Sequence, residues 1–414
     1  MRKVAFFFLL TLLPGWIFSQ TSPSCAADLY REMYARQYPE LAERARKLEL
    51  QLDSLPVLQN RSLIVIPVVV HVVYHTAPEN ISQEQIESQI EVLNADYRAQ
   101  NDNLDIIPAA FLDLIADTEL EFCLAVRDPD GHATTGITRD QTVKDNIGLS
   151  SDVHYAIKDG ADAWDPDHYL NIWLADMGEN TLGRASFPGT VPPAEDGIVV
   201  DPRYFGTTGS AAGSAPYNLG RTAVHEIGHY FNLMHPWGSG LPSLNCLGDD
   251  LVLDTPITSR DYLLDCPSTL QVSCGTLDMY TNYMYYTDDA CMAQFSPGQK
   301  LRMLATLLLP PRLGLTLSQG CLPVGVAPDP SLDFQFSIQP NPSSGEVVFE
   351  CKGQDGTPCH LQIFDAMGRM LRQMEIPGNQ PYRWVVPEAF AAGVYWVRVE
   401  VGGKWVLKTL QILR

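Results

Sequence analysis

The chain has 414 residues, enough for two or three domains, and 45 % hydrophobic against 19 % charged residues gives it ordinary cores to bury. Its 28 Lys and Arg face 49 Asp and Glu, a net charge of −21, which argues against nucleic acid as a partner because phosphate binding needs a cationic face. The same balance suits an exported protein with carboxylates to spare for hard cations.

Residues 1–20 open with Arg2 and Lys3, continue in a short apolar run interrupted by Pro14–Gly15, and close on Ser19. That pattern predicts a secretory signal peptide; the run is too short for a membrane anchor, and no other stretch is long and apolar enough to span. Residues 21–61 are charged and helix-favouring around a central Pro39, and read as a pro-segment. Next, SLIVIPVVVHVVYH predicts a buried strand. Ser82 with Gln85 makes a capping-box pattern, opening a helix with Ile86, Ile90, Leu93 and Tyr97 on one face. YLNIWLADM (169–177) predicts another strand, and 178–220, rich in Gly, Pro, Ser and Thr, reads as mostly loop. These elements predict an α/β (α+β) domain over 62–322. A Pro-rich linker follows at 323–332, and 333–414 alternates in short strands, with a hairpin turning at Gly402–Gly403, as in a small all-β sandwich. In an exported chain the nine cysteines are disulfide candidates, and an odd number leaves at least one over.

The chemistry is concentrated between Thr222 and His235, the run TAVHEIGHYFNLMH. Helical residues four apart share a face, so His225 and His229 can hold one ion, with Glu226 beside them as general base on a metal-activated water. His235 can join only if the helix stops between them, which a left-handed residue at Asn232 would do. Three imidazoles favour zinc with an open fourth position.

HEIGHYFNLMH resembles the extended zinc motif of the metzincins, and its surroundings resemble the pappalysin or cytophagalysin branch. The matching pieces are IPVVVHVVYH, ISQEQIESQIEVLNADYRAQN, GITR, YNLGRTAVHEIGH, GDDLVLDTP and NYMYYTDDACMAQFSPGQKLRM. The resemblance implies a metzincin-like zinc metalloendopeptidase, with Met284 as the apolar floor under the histidines and Tyr286 as an auxiliary to catalysis. It implies that LGRASFP (182–188) pairs with extended substrate, and that Asp289 lines the pocket for the residue after the scissile bond, favouring Arg or Lys there. Solvated turn aspartates are the plain alternative for Asp288 and Asp289. Structural calcium is implied near Asp249, Asp250 and Asp254, and disulfides Cys246–Cys274 and Cys266–Cys291 are implied by the family pattern; Cys351–Cys359 could close a strand connection, and Cys123–Cys321 is what remains.

Cys25 is then left in the pro-segment, either without a role or as a thiolate that closes the zinc site until cleavage near Arg61. SIQPNPSSGEVVFE, LQIFDAMGRMLRQ and AAGVYWVRVEVGGKWVLKTLQILR resemble the C-terminal sorting domain of the type IX secretion system. This implies a Gram-negative bacterium, passage through the periplasm, and a secreted or cell-surface product. The partners expected are polypeptide substrates and the secretion machinery, with the enzyme itself monomeric. Asn232 replaces the family's usual Gly and Tyr285 its usual Asp, the two features that would fit a catalytically inactive surface adhesin instead. An intact Glu226 speaks against that.

Overall fold

The computed structural model describes residues 24–52, 63–239, 246–259, 266–322 and, with short breaks, 334–412. The signal peptide, the cleavage position at Arg61, the linker at 323–332 and the turn at Gly402–Gly403 lie outside the described residues. Strand β1 (Ser24–Cys25) leads into helices α1 (Ala27–Gln37) and α2 (Pro39–Leu52), which part at Pro39 as the missing N–H there requires.

The Val- and Ile-rich run becomes β2 (Ile64–Tyr74), buried at nine of its eleven positions. Its hydrophobicity is continuous because it has strand neighbours on both edges and packed cores on both faces. β3 (Leu120–Leu124) and β4 (Ile137–Gln141) lie one after the other along one edge, and β5 (Leu170–Leu174) along the other, all parallel. Within the segment read as mostly loop, the structure places two short strands, β6 (Thr181–Ala185) and β7 (Ile198–Val200). β7 joins β5 in parallel, β6 joins β7 antiparallel, and β1 adds itself in parallel to β6. Three-residue β7 carries no alternation long enough to read from sequence.

Helix α3 (Gln83–Tyr97) buries Ile86, Leu93 and Tyr97 against Val68, Val70 and Val72 of β2, together with Val224 and Ile227 of α4 (Arg221–Tyr230). Ser82 caps α3 by accepting the Gln85 N–H, but Gln85 does not complete the capping box. Its amide instead donates to the carbonyls of Pro202 and Phe205, stapling the loop that leads to α4. On the other sheet face, Trp173 packs with Ile147, Val153 and Ala161. α5 (Pro297–Thr306) follows behind a complete Ser296/Gln299 capping box. All four disulfides named above form, and Cys25 stays free.

Beyond the linker, residues 334–412 make two antiparallel sheets. One has three strands and the other four, and Phe336, Phe349, Leu361, Ile363, Trp384 and Val397 fill a core of their own.

Candidate metal centre and active site

Every residue of α4 is buried. Its first turn has no side-chain cap of its own, because Gly220 precedes it in a left-handed conformation. Asp289 supplies the missing acceptor from a distant turn: Oδ2 accepts from the backbone N–H of Leu219 at 2.8 Å and of Arg221 at 3.3 Å. The helix stops as the sequence requires. Asn232 takes φ +70°, its N–H reaches the His229 carbonyl and the Leu233 N–H reaches Gly228, so the chain turns back with His235.

The three ring nitrogens Nε2 of His225, His229 and His235 then lie 3.1–3.2 Å apart. In the neutral tautomer that donates from the opposite nitrogen, each Nε2 presents a lone pair. Nδ1 of His225 donates to the Tyr283 carbonyl at 2.7 Å, that of His229 to the Leu233 carbonyl at 2.7 Å, and that of His235 to an Asp28 carboxylate oxygen at 3.0 Å. Three lone pairs aimed at one point are repulsive without a cation. A tetrahedral ion with Zn–N bonds of about 2.0 Å would set its nitrogens about 3.3 Å apart, so the donor set fits zinc. Burial drives the His225 pKa down to about 3, keeping the ring neutral as a ligand must be. Cys25 completes the group: its sulfur and the three nitrogens lie within 4.8 Å of one another.

Glu226 faces the same point and is 1 % exposed. One oxygen accepts from the Cys25 thiol at 3.5 Å, and the other, among the described residues, has no hydrogen-bond partner. Burial pushes its pKa up to about 8, opposed by the Cys25 hydrogen bond and the Arg184 charge. Two glycines make room. A Cβ at Gly228 would stand 2.4 Å from the Met284 sulfur, which is how closely Met284 underlies the helix, and one at Gly183 would stand 2.9 Å from the Glu226 side chain. Tyr286 packs edge-on to His235 and donates its hydroxyl to the Cys25 carbonyl at 3.3 Å. Tyr285 packs edge-on to Trp237, and its hydroxyl is hydrogen-bonded to Thr258.

Beside Glu226 lies a small cavity of about 30 Å³, lined by Cys25, Leu182, Tyr217, Arg221, Thr222, Asp289 and Met292 among others. Asp289 is thus at the cavity, although it is a buried helix cap rather than a solvated turn residue. Burial raises its pKa to about 6, against the hydrogen bonds and charge at Leu219 and Arg221.

The three candidate calcium ligands are not brought together. Asp249 accepts from the Leu251 N–H, Asp250 from Thr255 and the Val252 N–H, and Asp254 from Ser296 and the Gly298 N–H. Among the described residues the Cys25–histidine group alone has metal-binding geometry.

Sequence reasoning missed Asp28, which holds His235, and Glu49, whose carboxylate accepts from the Asn232 side chain at 3.0 Å and pairs with Arg302 at 2.7 Å. Both sit in charged helices where nothing marks one acid from the next.

Residues 155–308 match the family model described as "Pregnancy-associated plasma protein-A", and residues 337–413 match "Secretion system C-terminal sorting domain". An extracellular metalloprotease of Verticillium alfalfae is 27 % identical over 304 residues, covering 70 % of this chain and 94 % of that one. Extracellular metalloprotease 1 of Coccidioides posadasii is 32 % identical over 224 residues, covering 47 % and 78 %. Among solved structures, a mutant of Tannerella forsythia promirolysin is 38 % identical with a TM-score of 0.63, covering 71 % of this chain and 97 % of that one. Mature mirolysin from the same organism, in complex with a cleaved peptide, is 41 % identical with a TM-score of 0.58, covering 62 % and 97 %.

Proposed function

Because the chain belongs to the pappalysin family of metallopeptidases, we propose that it cleaves extended polypeptides with zinc on His225, His229 and His235, Glu226 as general base and a basic residue preferred after the scissile bond. It is a secreted metallopeptidase carrying a type IX sorting domain. The observation that carries the finer reading is the pairing of three convergent imidazole nitrogens with a buried carboxylate oxygen that has no partner among the described residues.

Zinc held at such a site supplies a Lewis acid that polarises the scissile carbonyl and lets a water lose its proton near neutral pH. Glu226 accepts that proton and returns it to the leaving amine; its raised proton affinity suits both halves of the transfer. Tyr286, whose hydroxyl already donates to the Cys25 carbonyl, would donate to a substrate carbonyl in the same place. β6 offers its edge to the substrate backbone as it now offers it to Ala26, whose N–H donates to Gly183 at 2.9 Å.

The pro-segment accounts for latency. Cys25 stands beside the three histidines and Asp28 grips His235, so the segment closes both the open metal position and the cleft edge. Burial and the Glu226 charge hold the Cys25 thiol protonated, and a bound metal would reverse this. The organisation this reading takes is signal peptide 1–20, pro-segment 21–61, catalytic domain 62–322, linker 323–332 and sorting sandwich 333–414. If full-length Cys25→Ala remains as inactive as the parent, the thiol is not what keeps the enzyme latent. Calcium at the 246–256 loop rests on the resemblance, and a Tm unchanged by a calcium-selective chelator would remove it.

The decisive experiment for specificity is hydrolysis of matched peptides that differ only after the scissile bond (Arg, Lys or Leu), by the activated enzyme and by Asp289→Asn. A strong preference for Arg and Lys that Asp289→Asn abolishes is the expected result; equal cleavage of all three would reject it.

A further inference from the structure

Besides Glu226 itself, the cavity is lined by a buried carboxylate, Asp289, and a buried cation, Arg221. Left to face each other, the two charges would cancel, and the cavity would have no coulombic reason to choose a basic side chain. A second carboxylate changes the sum. Asp96, the penultimate residue of α3 and 2 % exposed, takes the Arg221 guanidinium from its far side. Nη2 of Arg221 donates to Oδ1 of Asp96 at 3.3 Å, and Nε lies 3.2 Å from Oδ2 as an ion-pair contact without hydrogen-bond geometry. Nη2 also reaches the Asn103 side-chain oxygen at 3.3 Å.

We propose that Asp96 is a positioning residue that determines specificity: by holding and neutralising Arg221 it leaves the charge of Asp289 unopposed in the cavity. The proposal rests on Asp289 being the specificity carboxylate. Three separate elements meet here, the end of α3, the first residue of α4 and the turn after Met284, so the charge sum is set by packing. The same short segment also fixes the cavity wall. Asn103 donates to the Met292 carbonyl at 3.0 Å, Asn101 donates to the Ala293 carbonyl at 3.0 Å, and Met292 lines the cavity. Two further cavity-lining groups, the hydroxyls of Tyr217 and Thr222, are buried and, among the described residues, have no partner. They are acceptors for the several N–H groups of a guanidinium, which favours Arg over Lys as the side chain admitted.

Asp96 also lies against Tyr283, whose carbonyl holds His225, so a purely structural role would show at the metal. The test therefore reads two quantities on the zinc-loaded, activated enzyme. One is bound zinc, and the other is the ratio of kcat/KM on peptides with Arg rather than Leu after the scissile bond. Asp96→Asn is expected to lower that ratio about tenfold with zinc content unchanged, because Arg221 then faces Asp289 alone. Adding Arg221→Gln to Asp96→Asn is expected to restore the ratio. Should Asp96→Asn fail to fold, Asn103→Asp places a second carboxylate on the same guanidinium from a half-buried site, and about a threefold rise in the ratio is expected. Equal loss on both peptides, or zinc loss without a change of ratio, would overturn the proposal, as would an unchanged ratio in Asn103→Asp. If Asp289→Asn abolishes the preference while Asp96→Asn leaves it intact, the Asp96 proposal alone fails. A parent enzyme with no preference at all defeats the Asp289 reading first.

Discussion

His225, His229 and His235 bring three ring nitrogens within 3.2 Å of one another, whereas Asp249, Asp250 and Asp254, set as closely in the sequence, turn their carboxylates to three different sets of partners. The difference lies in what each side chain has left to give. Each imidazole has two nitrogens, and a fixed acceptor takes one, leaving the lone pair of the other turned to the common point where an ion would sit. Asp249 and Asp250 find backbone N–H groups and a hydroxyl within two to five residues, Asp254 finds Ser296 and the Gly298 N–H at the start of α5, and once these are accepted little drives the carboxylates toward a common centre. Clustered ligand types become a site when the fold satisfies all but one atom of each.

That contrast can be broken most sharply at Glu226. Glu226→Gln keeps the shape of the centre and removes the base, so kcat/KM on peptides should fall by roughly 10³-fold or more, while bound zinc stays near one per chain by metal analysis. A fall in zinc content alongside activity would mean the carboxylate belongs to the metal site instead. Next in size is Gly228→Ala, whose new methyl would meet the Met284 sulfur at 2.4 Å. Overpacking of this kind costs about 1–3 kcal/mol, and thermal unfolding should show a Tm lower by several degrees. Gly228→Ala with an unaltered Tm would show that the floor beneath the histidines is loose.

Asn232→Gly should be smaller, because the gain in left-handed freedom offsets the lost bond to Glu49. We expect activated Asn232→Gly to match the parent in kcat/KM and to differ by less than about 1 kcal/mol in denaturant unfolding. Smallest of all is Asp249→Asn. Among the described residues this exposed carboxylate accepts only a local N–H in the loop, so Tm should move by less than about 1 °C, with or without added calcium. A calcium-dependent shift lost in Asp249→Asn would return the aspartate loop to the class of the histidines.

Much of the site was legible because it is local. HExxH puts two ligands one helical turn apart wherever a helix forms, and Asn232, three residues past His229, tolerates the left-handed turn that His235 needs to join them. The buried strand, the α3 face and the break at Pro39 were legible for the same reason, since periodicity and a missing N–H act within a few residues. The capping box at Ser82 was half right: its first bond is local, but the Gln85 side chain had a better offer from two buried carbonyls more than a hundred residues away. The strand β7 and the dispersal of the three aspartates were equally out of reach.

By itself, then, the sequence determined the metal-binding helix, its turn and the chemistry of its three imidazoles and one carboxylate, because helical geometry alone sets those atoms side by side. Only the tertiary structure decided which acceptors orient the rings, which residue caps the helix and which charges survive in the cavity. Asp28, Asp96 and Asp289 reach α4 and the His235 turn from three distant parts of the chain, and no spacing in the sequence encodes a contact that packing alone creates.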